Sequence, residues 1–91
     1  MENEKNYLIV FDSKNHAYFL ESLLMRKAYD VEYLQAPQYL SQSCSASLKI
    51  DKDSLKFAME MIETFNLEVY RIYRKNRAKG KITYRVVNVQ S

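Results

Sequence analysis

The residue with the greatest intrinsic reactivity in this chain is Cys44, its only cysteine, within the stretch YLSQSCSASLKI (39–50). A thiolate attacks sulfur and carbon electrophiles, whereas a protonated thiol does so poorly. Ser41, Ser43, Ser45 and Ser47 surround Cys44 with small hydroxyl donors. A single cysteine forms no internal disulfide and completes no zinc site of the CxxC type. The chemistry left to it is nucleophilic, and its neighbours decide whether that chemistry is expressed.

The only histidine, His16, is the natural second member of a Cys/His pair. A cysteine hydrolase would also need an oxyanion hole, and a chain with one glycine, Gly80, has no Gly-rich turn to build it. The same shortage removes a phosphate-binding loop. Asp51 and Asp53 read as helix-capping residues, and no spacing matches a metal site. The expectation is a protein that is not an enzyme and uses no metal or cofactor.

The elements that position these residues follow from apolar periodicity. YLIVF (7–11) is a short buried strand. Asp12, Ser13 and Asn15 offer caps for a helix from Asn15 to about Tyr29, with Ala17, Leu20, Leu24 and Ala28 on its inner face and Leu23 beside them. VEYLQA (31–36) is a second strand that Pro37 ends. Residues 38–45 connect it to a third, ASLKI (46–50). Leu55, Ala58, Met59, Ile62 and Phe65 mark a second helix, with Asn66 as its stop. LEVYRIYR (67–74) is a fourth strand. Ala78-Lys79-Gly80 then turns the chain into a fifth over 81–89.

Strand, helix, strand, strand, helix, strand is the ferredoxin-like split βαβ order: an α+β fold with an antiparallel sheet and two helices on one face. The other face is expected to be more exposed, and the basic C-terminal hairpin extends the sheet. One domain is all that 91 residues allow, read as an expected disordered N-terminus over 1–6, a ferredoxin-like domain over 7–74 and the basic hairpin extension over 75–91. In this topology the 12–16 and 37–45 loops share one sheet end. That brings Cys44 toward Ser13, Lys14, Asn15 and His16 at a helix N-terminus, whose partial positive charge favours a thiolate. Position 44 also shares parity with Ala46, Leu48 and Ile50, so an inert, inward-facing thiol is the competing reading.

The net charge of +3 conceals a division. Residues 1–70 carry eleven acids and seven bases, while Arg71, Arg74, Lys75, Arg77, Lys79, Lys81 and Arg85 follow with no acid among them. This tail suits an edge hairpin protected by charge, an acidic partner, or nucleic acid, with Tyr70, Tyr73 and Tyr84 interleaved. The aromatic signature of sheet-based RNA binders is missing. No apolar run approaches a membrane span, and the acidic start is no signal peptide, so a cytoplasmic location is expected.

YLIVFDSKNHA, QAPQYLSQSCSASLKI and LEVYRIY together resemble the selenium/sulfur carrier-like family of small bacterial domains. Tyr7, Phe11, Ser13, Ala17, Pro37, Leu40, Ser41 and Cys44 fall on its pattern. Where that pattern has glycine after the cysteine, this chain has Ser45. The resemblance implies a non-catalytic carrier. In it Cys44 would hold sulfane sulfur as a persulfide, Ser13, Lys14, Asn15, His16, Ser41, Ser43 and Ser45 would form its rim, and sulfur or selenium donor and acceptor proteins would be its partners. The alternatives from the residues alone are an interaction domain, with a second copy paired through sheet edges as its candidate partner, and a small RNA-binding module.

Overall fold

The computed structural model describes residues 5–35 and 46–87. Five strands and two helices follow in the order β1 (Tyr7–Phe11), α1 (Lys14–Arg26), β2 (Val31–Gln35), β3 (Ala46–Ile50), α2 (Lys52–Thr64), β4 (Val69–Ala78) and β5 (Lys81–Val86). The sheet order is β2-β3-β1-β4-β5, with every neighbouring pair antiparallel. β3 lies between β1 and β2, and β1 lies between β3 and β4. The chain is therefore two interleaved split βαβ units, the ferredoxin-like α+β arrangement, with β5 added beyond β4.

Strand alternation divides the apolar residues between two faces. Ile9, Phe11, Ala46, Leu48, Ile50 and Ile72 meet Ala17, Leu20 and Leu24 of α1 and Ala58 of α2 in one buried cluster. Both helices therefore cover the same face. On the other face Leu8, Val10 and Tyr73 form a second cluster, flanked by Leu34 and Tyr84. Its three central residues are 1%, 0% and 4% exposed. The expectation that this face would be the more open one is thus wrong at its centre.

The helix ends show where local chemistry overrides periodicity. α1 stops at Arg26 rather than near Tyr29, because the Ala28 and Tyr29 N–H groups donate to the carbonyls of Met25 (3.0 Å) and Leu24 (2.9 Å). This is a Schellman closure with Ala28 at φ 62, a conformation that glycine adopts at lower cost. Ala28 is consequently exposed and leaves the inner face. α2 closes the same way: Leu67 N–H donates to Ile62 C=O (2.9 Å) and Asn66 N–H to Glu63 C=O (3.3 Å). Asn66, at φ 53, is the stop its side chain suits. Phe65 follows the last helical turn and is exposed, set edge-on against Phe19 at 5.0 Å, and is not a core residue.

β4 begins two residues later than expected and runs past Arg74 to Ala78, and β5 runs from Lys81 to Val86, the last two residues of its expected span, 88 and 89, lying outside the described residues. Lys79 (φ 51) and Gly80 (φ 78) form the two-residue turn between them. Two positive φ angles mark the turn whose twist matches that of paired strands. At the other terminus, Asn6 C=O accepts from Lys75 N–H (2.6 Å) and Lys5 pairs with Asp30 (3.0 Å).

Candidate functional site

Strand register brings five chain segments to one end of the sheet. Val10 of β1 lies opposite Ser47 of β3, Gln35 of β2 opposite Ala46, and Phe11 opposite Val69 at a bulge in β4. The end of β1, the first turn of α1, the end of β2, the head of β3 and the segment entering β4 therefore meet there. Ser13, Lys14, Asn15 and His16 come together on this end as the cap and first turn of α1. Cys44, Ser41, Ser43 and Ser45 lie outside the described residues.

The two helix N-termini are built differently. At α2, Asp51 accepts from the Ser54 N–H and the Ser54 hydroxyl, both at 2.8 Å, and Asp53 adds a second carboxylate in the first turn. These groups satisfy an orphan donor and oppose the helix dipole. At α1, Ser13 is extended (φ −121, ψ 126) and its side chain makes no cap bond. The first turn holds Lys14, Asn15 and His16 and no acid. The positive end of α1 is thus left uncompensated by its own turn.

His16 has a structural duty that no local pattern announces. Its Nδ1 accepts from the Glu68 backbone N–H at 2.8 Å, across 52 residues of chain. The Asp12 N–H in turn donates to the Glu68 carbonyl at 3.3 Å. These two bonds brace the start of α1 against the segment entering β4. With the Nδ1 lone pair so used, the neutral ring carries its proton on Nε2, the nitrogen left to face other groups.

The basic residues do not form one patch around this end. Only Arg71, opposite Val10, lies near it, its guanidinium 5.2 Å from the centre of the Tyr70 ring. Arg74, Lys75, Arg77, Lys79, Lys81 and Arg85 lie progressively toward the opposite end, along β4, the turn and β5. The central strands β1 and β3 present Leu8, Val10, Ser47 and Lys49 on the face away from the helices, so that face offers no row of stacking aromatics. Tyr73 there is buried, its ring edge-on to Tyr84 at 6.5 Å. Tyr18 and Tyr29 serve as flank packing, stacked on Tyr33 (4.9 Å) and tilted against Phe57 (5.4 Å).

A groove of about 900 Å³ runs between α2 and the β4–β5 strands, floored by Leu55, Met59, Ile62, Val69 and Val86. It exists because β5 widens the sheet beyond the cover of α2, which sequence periodicity does not report. Among the described residues no cluster of His, Cys, Asp and Glu fits a metal ion, and no helix is long and apolar enough to cross a membrane.

Comparison with known proteins is informative at one level. No curated protein and no solved structure matches the chain. A family profile described as "Putative Se/S carrier protein-like" matches residues 6–74, which span β1 through the first half of β4 and leave out the turn and β5. With that match covering most of its length, and with the cysteine motif inside it, the chain belongs to the selenium/sulfur carrier-like family.

Proposed function

We propose that this protein is a small sulfur carrier whose working atom is the Cys44 sulfur. The observation that carries the reading is the uncompensated N-terminus of α1 at the sheet end where β3 begins, in a chain of this family. Cys44 precedes Ala46 by two residues, so covalent reach keeps the two Cα atoms within about 7 Å. An electropositive helix end, with Lys14 beside it, favours the thiolate. Ser41, Ser43 and Ser45 supply hydroxyl donors, and Ser13, Asn15 and the Nε2 side of His16 complete a polar rim.

The transfer step needs no oxidant. The Cys44 thiolate attacks the outer sulfur of a donor persulfide, forming a new S–S bond as the donor's S–S bond breaks. The donor leaves as a thiolate, and the proton of its terminal sulfur is shed to water or stays on the new persulfide. An acceptor nucleophile reverses the step. Selenium in place of the outer sulfur follows the same exchange. The protein binds and hands on the atom and turns over no substrate of its own.

Incubation with a cysteine desulfurase and cysteine, followed by intact mass measurement, tests the reading. One added sulfur per chain, released by a thiol reductant and absent from Cys44→Ala, is the expected result. No adduct on the native chain, or one that persists in Cys44→Ala, overturns it. A second reading draws on the inward row of Ala46, Leu48 and Ile50, whose parity Cys44 shares. In that case the thiol is packing and the domain serves association alone.

A further inference from the structure

The β4–β5 hairpin lies largely beyond the family match and has a distribution of charge that neither core packing nor edge protection requires. From Val69 to Val87 there are seven bases and no acid. Among the described residues none of the seven has an ion-pair partner. Arg74 and Arg85 stand directly opposite one another across the ladder, an arrangement that costs stability. An edge strand is protected by charge on its solvent-facing positions, which does not require both members of a cross-strand pair to be cations. Seven cations, four of them arginine, with a like-charge pair retained, call for a polyanion.

The shape narrows the class. β1 pairs with β4 only as far as Arg74, and Asn6 accepts from Lys75. From Asn76 through Thr83, β4 and β5 are paired only with each other among the described residues, so this part is a two-stranded ribbon projecting roughly 10 Å at 3.3–3.4 Å per residue. Its cations lie all around it. Within it Arg77 lies on the face of Tyr73, Lys81 on the other face and Lys79 on the turn, while at its base, where β4 still meets β1 and Asn6, Lys75 continues the first face and Arg74 and Arg85 the second. All but the half-buried Lys75 are exposed. An acidic protein surface would engage one such face and leave the other in water. A groove walled by anions on both sides engages both.

We infer that this ribbon is a wedge for the major groove of double-helical DNA. Two strands about 5 Å apart, with side chains on either face, match a groove of about 12 Å that admits a β-ribbon, whereas the major groove of A-form RNA is too narrow. The cations contact the phosphates of both walls and give binding with little sequence preference. The thiol chemistry proposed above plays no part in it.

Fluorescence anisotropy with a labelled mixed-sequence DNA duplex tests the inference, using the full chain and the triple variant Arg77→Ala/Lys79→Ala/Lys81→Ala. The native chain should bind with a log–log salt slope of about −0.9 per phosphate neutralised. The variant should bind roughly tenfold or more weakly, with a slope reduced by between two and three. The three side chains are exposed, so the variant's urea midpoint should equal the native one and separate lost binding from lost folding. Equal affinity of variant and native chain overturns the inference. So does binding of duplex RNA of the same sequence as tightly as DNA, or displacement of DNA by polyglutamate at equal charge, which would mark an acidic protein as the partner.

Discussion

Replacing Phe11 by alanine is expected to remove about 3–5 kcal/mol of stability, the range for a large aromatic deleted from a packed interior. Phe11 is fully buried at the end of β1, where the sheet meets both helices, and is the largest fully buried side chain among the described residues. A 91-residue domain has roughly 5–14 kcal/mol in total, at 0.05–0.15 kcal/mol per residue. One substitution therefore takes roughly a fifth or more of what holds the chain together, and Tm should fall by more than about 10 °C. Urea denaturation followed by far-UV circular dichroism measures it, with Val86→Ala as the comparison. Val86 is 55% exposed, and its truncation should cost less than about 0.5 kcal/mol. A Phe11→Ala chain as stable as the Val86→Ala chain would mean that the two-helix face is not the core.

Asp51→Ala should cost about 1.5–5 kcal/mol, far more than a carboxylate on an open surface. The carboxylate is nearly buried and receives two bonds of 2.8 Å, from the N–H and the hydroxyl of Ser54, itself fully buried. Losing the cap costs about 0.5–2 kcal/mol, and leaving a buried hydroxyl without an acceptor adds about 1–3 kcal/mol. The two parts can be separated. Asp51→Asn keeps an acceptor oxygen and a good capping residue, so it should lose the least. In the double variant Asp51→Ala/Ser54→Ala the stranded hydroxyl is gone, and its loss of stability should be smaller than the sum of the single losses. Additive losses in that cycle would show that the two side chains do not act as a unit.

The parts of the fold legible in the sequence are those written in local patterns. Ala17, Leu20 and Leu24 declare α1 by spacing, Ala46, Leu48 and Ile50 declare β3 by alternation, and Gly80 declares the hairpin turn. The order of the elements then fixes the sheet, because two crossovers of one hand leave few alternatives. The rest depends on contacts rather than periods. Ala28 continues the apolar stripe yet leaves the helix in a left-handed closure. Phe65 continues the second stripe yet lies past its last turn. Leu8 and Val10 alternate away from the helices and are still buried.

At the candidate site the convergence of Ser13, Lys14, Asn15 and His16 was readable from topology. The bond from Glu68 to His16 was not, since a residue 52 positions away leaves no trace in the local pattern. The basic residues were readable as a set and not as a shape. Strand register divides them between the two ends of the sheet and the two faces of a ribbon. The positive end of α1 and the ribbon consequently lie at opposite ends of the sheet, and substitutions at one are expected to leave the other intact.

A carrier thiol must be open to its partners in the folded state, and a packing thiol must not. The rate at which iodoacetamide alkylates Cys44 at neutral pH, followed by mass spectrometry across a urea series, distinguishes the two directly. The result predicted by the proposed carrier reading is a folded chain that reacts faster than the unfolded one, as a thiol beside the positive end of α1 would. A rate that is negligible in buffer and climbs only as urea unfolds the domain would contradict it.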